Sequence, residues 1–369
     1  MKKIISIALA LLMVAVMLPV MAMAEGTTLQ SRIDAGETTI TLTENVTESI
    51  TIPKDKTVTL NLNGNTLTNE ANKDTITVAL GGTLTIEGAG TVDNISHGRA
   101  AVYNNGTVTI NGGTYTRSEE KGTGNPNSDN GNSWYTICNH GVMTVNAGAT
   151  VKNKGTFSSV FENGYYSYTK NAEREGYVEG TNNAAPALTI NGGTFEGGKI
   201  TIKNDDGGIL KIGGGRFTNN GNRVVFNANK AEINGGEFYC PATYFGNEIA
   251  VDTLYADGGQ NAGQLTITGG TFDGKVTQSN GAVTTVSGGT FKKGVDKSYI
   301  VDGKKLDANG NVVPESITII VPSDGGNTTT TPSTDNTKNP GTGANDFVGV
   351  AAAMAVVSLL GAAAVIRKK

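Results

Sequence analysis

The sequence predicts an all-β solenoid of short stacked coils, and three observations carry that prediction. One phrase recurs along the chain: VTINGGTY from Val108, LTINGGTF from Leu188, LKIGGGRF from Leu210, AEINGGEF from Ala231, LTITGGTF from Leu265 and TTVSGGTF from Thr284. Looser copies begin at Leu60, Leu84 and Met143. A glycine-rich loop that cradles a phosphate is used once, so a phrase repeated this often is architecture. With 51 glycines and 17% charged residues the chain is too turn-rich for a helical protein, and 37% apolar content is too high for a disordered one. The unadorned spacing between copies is about twenty residues, one solenoid coil, whereas a propeller blade needs roughly forty.

The elements follow in chain order. Lys2 and Lys3, the apolar run IISIALALLMVAVMLPV and the small-residue site Ala22, Met23, Ala24 read as a secretory signal peptide over residues 1–24. The solenoid is expected over 25–296. GTTLQSRIDAG, 26–36, supplies a short N-terminal helical cap, because an open solenoid end exposes core and strand edges. Within each copy two apolar residues flank a polar one, so a short strand points two side chains inward and one outward, and the Gly pair then turns the chain.

Two apolar columns result. The first runs Leu62, Ile86, Ile110, Val145, Ile190, Ile212, Ile233, Ile267, Val286, and the second Leu67, Val92, Tyr115, Val151, Phe195, Phe217, Phe238, Phe272, Phe291. Both must face one core. Asn104, Asn139, Asn227, Asn261 and Asn280 each stand six residues before a first-column member, and Asn204 eight before, which predicts a stacked Asn ladder at one corner. A C-terminal cap is expected over 297–322, with YIVDGKKLDANGNVV as a closing hairpin turning at Asn309 and Gly310.

Residues 323–338 are low-complexity and read as a flexible Thr/Asn-rich spacer. After them, in 339–369, come NPGTG, an apolar run from Phe347 to Ile366 and the basic tail Arg367, Lys368, Lys369. Twenty apolar residues at about 1.5 Å each span a bilayer, so by physics alone this end is a membrane anchor with a cytoplasmic tail.

This three-part end resembles the sorting signal of Gram-positive surface proteins, with Asn339, Pro340, Gly341, Thr342 and Gly343 as the pentapeptide. The resemblance implies cleavage between Thr342 and Gly343 by sortase, with peptidoglycan and, before sorting, the membrane as partners. Asn339 stands where the commonest motif has Leu. The repeats over 38–296 resemble the right-handed parallel β-helix of bacterial surface proteins, the pectate-lyase-like adhesive type. That resemblance implies a secreted, cell-wall-anchored protein of adhesin-like function that binds a glycan or a surface partner.

Polysaccharide lyases and hydrolases share this fold, which makes cleavage the alternative reading, and a structural spacer is a third. The titratable residues that invite catalysis, Asp93, His97, Arg99, His140, Asp205 and Asp206, all have bland explanations, and Asp93, His97 and Arg99 fall about five coils, over ~20 Å, from Asp205. His140 sits in NHG, in register with NNG at 104–106, and Asp205 with Asp206 in NDDGG. No acid, base and cation group assembles from spacing, so no catalytic residue is named and the chain is not read as an enzyme. Thr85, Thr109, Thr144, Thr189, Thr266 and Thr285 form an outward row like those of ice-binding solenoids, but Lys211 and Glu232 interrupt it, and threonine is simply a good exposed strand residue.

Cys138 and Cys240 fall about three coils apart, roughly 14 Å, beyond disulfide reach, so both are expected to remain thiols. Two Cys and two His lack any metal-ligand spacing, and nothing points to a metal or a cofactor. Without the processed ends 24 basic face 32 acidic residues, with no basic stripe, which argues against nucleic acid.

Three long intervals, near 116–137, 152–186 and 239–260, collect the aromatics. They are expected to leave the repeat after its third strand and so to emerge along one edge of the rod. Trp134, Tyr135, Phe161, Tyr165, Tyr166, Tyr168, Tyr244 and Phe245 are the ligand-binding candidates, with Tyr177, Tyr239 and Tyr255 nearby. Asn127, Asp129, Glu162 and Asn163 are placed to bond sugar hydroxyls. The competing reading is that these rings pack the loops onto the flank of the rod.

Overall fold

A computed structural model describes residues 27–118, 135–153, 159–164, 186–205, 207–219, 221–241, 246, 248–254, 263–279 and 281–315. The segments expected to be signal peptide, spacer and sorting signal lie outside them. No helix among the described residues is long and apolar enough to cross a membrane.

The described chain is a right-handed parallel β-helix. Two sheets hold ten strands and the third holds nine, every neighbouring pair parallel, and successive strands of the chain visit the first, second and third sheet in turn. Ten coils result, at 39–52, 57–78, 83–104, 107–139, 142–163, 187–204, 209–227, 230–253, 264–278 and 283–291. The last coil contributes no strand to the third sheet.

Both apolar columns form. In the second sheet Leu67, Val92, Tyr115, Val151, Phe195, Phe217, Phe238, Phe272 and Phe291 pair in unbroken register, with Val46 preceding them. The five phenylalanine rings stack with centroids 4.8 Å apart, the hydrogen-bonded spacing of the strands that carry them. In the first sheet Ile86 pairs with Leu60, not with Leu62. The corner of coil 2 is longer than the Gly-Gly corners, turning through Asn63 and Gly64 at φ 48° and 81°, and aligning the chain on its NG dipeptide displaced the column by two.

Glycine is required at the corners for two reasons. At Gly141 a Cβ would lie 2.2 Å from the Gly106 carbonyl oxygen one coil below. At Gly236 the backbone has φ +100°, and a Cβ would press on the Phe217 and Phe238 rings.

The Asn ladder also forms, with different members. Asn104 Nδ2 donates to Asn139 Oδ1, Asn139 to Asn163, Asn163 to Asn204 and Asn204 to Asn227, at 2.7–2.8 Å. The register then continues to Thr253 and Gln278. Those two residues hold the places expected for Asn261 and Asn280, which lie outside the described residues.

Both caps are present. The helix Leu29–Asp34 is N-capped by Thr28, whose hydroxyl accepts from Ser31 N, and the Glu48 carboxylate accepts from Leu29 N and Gln30 N at 2.8 Å. Leu29 and Ile33 plug the end of the core. Gln30 acts as a substitute strand: Thr51 N donates to its Oε1 at 2.7 Å and its Nε2 donates to Thr51 O at 3.1 Å, satisfying an edge that would otherwise be bare. At the other end an antiparallel hairpin of Lys304–Leu306 and Val312–Pro314, turning through Asn309 and Gly310, covers the last coil through backbone bonds such as Phe291 N to Gly310 O.

Candidate functional site

Each sheet presents an outward row to its surroundings, and the three rows differ. On the first sheet Thr39, Thr59, Thr85, Thr109, Thr144 and Thr189 align, followed by the pair Lys211 and Glu232 and then Thr266 and Thr285. The second sheet repeats the scheme with Thr66, Thr91, Thr114, Thr150, Thr194, Arg216, Glu237, Thr271 and Thr290. The third begins and ends with threonine but reads Thr51, Thr77, Tyr103, Cys138, Glu162, Lys203, Phe226, Asp252, Thr277. Its middle six coils carry no threonine in this row, whereas in the other two sheets only one adjacent pair, Lys211 and Glu232 or Arg216 and Glu237, interrupts the threonines.

These side chains form a connected network. Lys203 Nζ pairs with Asp205 Oδ2 at 2.5 Å, donates to the Tyr135 hydroxyl at 3.2 Å, and lies 5.7 and 5.9 Å from the ring centroids of Tyr135 and Phe226. Arg223 also stands 5.7 Å from the Phe226 ring centroid and pairs with Asp252 at 2.6 Å, while Asp252 Oδ1 accepts from Thr277 at 2.7 Å. His140 Nε2 is 3.8 Å from Glu162 Oε2, and its ring meets Tyr103 edge to face at 5.2 Å. Tyr135 hydrogen-bonds Glu162, and burial, reinforced by the Glu162 and Asp205 charges, pushes its phenol well above the ordinary range.

Depth sorts the network. Cys138, Glu162, His140, Asp205 and Asp252 are buried although they face outward, whereas Tyr103, Tyr135, Lys203, Phe226 and Arg223 are half-buried. The rings and cations therefore reach the surface, and the carboxylates lie beneath them.

A second polar cluster anchors the stem of the first insertion. The Asp93 carboxylate accepts from Thr116 Oγ1 at 2.6 Å, from Ser118 N at 2.8 Å and from the Ser118 hydroxyl. Arg117, buried, donates to Ser96 O at 3.2 Å. Burial raises the Asp74 carboxyl, against the opposing effects of its bond from Ala100 N and the nearby Arg99 and Arg117 charges. These bonds fix the backbone around Thr116, Arg117 and Ser118 to the preceding coil.

Several expectations change. Phe161 is fully buried in the core in register with Ile137 and Ile202, so it is not available to a ligand. Asn163 belongs to the buried ladder and Glu162 to the lower layer of the network, so neither reaches a sugar hydroxyl directly. Tyr135 stands at the leading corner of the third sheet, half-buried against Lys203. Trp134, Tyr165, Tyr166, Tyr168, Tyr244 and Phe245 lie outside the described residues, as do Asn127, Asp129, Asp206, Tyr177 and Tyr255. The insertions do not share one edge. Strands Phe161–Asn163 and Ile249–Thr253 fall inside the second and third intervals, so the long segments leave at both corners that flank the third sheet.

Cys138 and Cys240 are buried in different sheets' territory and form no disulfide, and burial pushes the Cys240 thiol up to about 11. Among the described residues no group of three or more His, Cys, Asp or Glu is arranged to hold a metal ion. A shallow groove of about 660 Å³ runs along the corner between the first and second sheets, lined by Gly215, Gly236, Gly270 and Gly289 with Arg216 and Glu237. It is the trench left where stacked glycines carry no side chain, and it lies away from the polar network.

Lys203, Arg223, Phe226 and Asp252 were missed in the sequence, yet a signal for two of them, Lys203 and Phe226, exists. The triplets VYN, ICN, FEN, IKN and VFN, ending at Asn104, Asn139, Asn163, Asn204 and Asn227, share one form: core residue, outward residue, ladder Asn. Their middle letters spell the outward row. No family model, no curated protein and no solved structure matches the chain.

Proposed function

We propose that this is a secreted, cell-wall-anchored, adhesin-like surface protein that binds a glycan or a surface partner through the outer face of the third sheet and the loops at its two corners. The observation that carries this reading is the replacement of threonine by Tyr103, Glu162, Lys203, Phe226 and Asp252 in one outward row, on the one sheet that the long insertions flank. Half-buried aromatic rings held by ion pairs are rigid before a ligand arrives, and ring faces with neighbouring hydrogen-bonding groups suit sugars.

Replacing Tyr103 and Phe226 together by Ala tests the face, because both point outward and leave the core intact. Attachment measured on a glycan array is expected to fall at least about tenfold, with a melting temperature within a few degrees of wild type. Thr85→Ala with Thr109→Ala, on the first sheet, should leave attachment unchanged. Equal loss from both pairs would remove the assignment to the third sheet.

A second reading is favoured by one observation: Tyr135, His140, Glu162, Lys203 and Asp205 form the acid, base and cation group that spacing alone did not assemble. Polysaccharide cleavage on that group predicts product release from pectins, alginates or glycosaminoglycans, and binding without release separates it from recognition.

Attachment to the wall is proposed through the pentapeptide Asn339 to Gly343 and the apolar run after it. Thr342→Ala is expected to hold the protein in the membrane fraction and remove it from the wall fraction. Unchanged wall linkage would exclude sortase as the attaching enzyme.

A further inference from the structure

We infer that the third-sheet face takes an uncharged glycan and discriminates against acidic ones, with Asp205 and Asp252 as the residues that set this preference. The inference rests on the binding-face reading above and adds the class of ligand.

Among the described residues three carboxylates, Glu162, Asp205 and Asp252, and three cations, Lys203, Arg223 and Lys275, lie on the third-sheet strands and the corners that follow them. The two cations that reach the aromatic surface are each held by their own acid, Lys203 by Asp205 at 2.5 Å and Arg223 by Asp252 at 2.6 Å. A ligand carboxylate or sulfate approaching either cation meets a charge that is already neutralised. It must displace an aspartate that is more deeply buried than its partner, or accept repulsion from it at short range. The excess of acidic over basic residues in the chain as a whole adds to the barrier.

An uncharged sugar meets none of these obstacles. Tyr103, Tyr135 and Phe226 are half-buried, so part of each ring remains at the surface for its apolar side. Arg223 can donate to hydroxyl or acetamido oxygens, since a guanidinium has five donors and Asp252 and Asn222 do not consume them all. The aspartates then act as positioning residues. They fix the two cations against Phe226 and cancel their long-range attraction for anions.

The test uses the mature wild-type chain and the double variant Asp205→Asn, Asp252→Asn. The probes are neutral polysaccharides (mannan, galactan, chitin oligomers), polygalacturonate and a sulfated glycosaminoglycan. Wild type is expected to bind a neutral probe, with affinity changing less than about twofold between roughly 50 and 500 mM salt. It should bind neither acidic probe. The double variant bares both cations and is expected to gain at least about tenfold for polygalacturonate, with that gain lost at high salt.

Wild-type binding to an acidic probe that weakens with salt and disappears in Lys203→Met, Arg223→Met overturns the inference while leaving the binding face standing. Neutral binding that survives Tyr103→Ala, Phe226→Ala, or binding to no glycan at all, overturns the binding-face reading and the inference with it. Should the Asn variant melt well below wild type, the salt dependence and probe selectivity of the wild-type chain decide the matter alone.

Discussion

Phe217→Ala is expected to destabilise the β-helix by about 3–5 kcal/mol, the usual range for deleting a fully buried phenylalanine. The ring is buried in the middle of the stack, 4.8 Å from Phe195 at 9° and 4.8 Å from Phe238 at 3°. Nearly parallel planes at that centroid distance are offset, so each neighbour contributes a favourable ring contact as well as apolar burial. The neighbours cannot close the gap, because the spacing of Phe195 and Phe238 is set by backbone hydrogen bonds through the intervening strand Arg216–Thr218. Gly215 and Gly236 also lose the ring that their corners lean on. In a chain of this size the melting temperature should fall by roughly 10 °C, and Phe217→Leu, which keeps most of the volume, should lose less than half as much. Thermal unfolding within about 2 °C of wild type would falsify the stack as a main source of stability. Because coils contact only their neighbours, the loss should appear in hydrogen exchange first around coils 6–8.

Asn163→Leu is expected to cost a similar amount, about 3–5 kcal/mol, by a different route. Asn163 accepts from Asn139 and donates to both Asn204 Oδ1 at 2.7 Å and Ile209 O at 3.1 Å, and all three asparagines are fully buried. Leucine keeps the volume but strands these partners, and each buried polar atom left without one costs about 1–3 kcal/mol. Asn163→Asp sharpens the test. A carboxylate there faces Asn204 Oδ1 with no proton to give, so its folded-state pKa should rise above the unfolded value. A raised folded pKa means that stability is present at acid pH, below the unfolded carboxyl range, and is lost as pH rises through the folded value. The Asp variant should therefore be closer to wild type near pH 4 than at pH 7 by urea denaturation, whereas the Leu variant should show no such difference. A pH-independent deficit in the Asp variant would mean that the ladder donor is not what position 163 supplies.

How much could be read from residues alone differs between the sheets. The second-sheet column from Leu67 to Phe291 was legible in full, because each member stands a nearly constant distance after its glycine corner. The first-sheet column was legible except at its start, where the Asn63 and Gly64 corner of coil 2 is longer than the others. Four of the five ladder asparagines, Asn104, Asn139, Asn204 and Asn227, were found by counting back from the next coil. That count fails wherever an insertion intervenes, which is why Asn163, followed by the long segment before Ala187, was assigned to a ligand instead of the core.

The sequence by itself determined the solenoid, its caps and the identity of two of its three faces, since a repeat of about twenty residues places corner, strand and core residue by local distance alone. What only the tertiary structure decided is the third face. Its strands stand between insertions of unequal length, so Tyr103, Cys138, Glu162, Lys203, Phe226 and Asp252 follow one another at irregular intervals and share no residue type, and only the ladder Asn after the first five marks their place. Parallel hydrogen bonding, which fixes register strand by strand whatever the length of chain between, brings them into one row at the strand spacing. The separation of buried carboxylates from surface cations within that row follows from packing in three dimensions, and no count along the chain contains it.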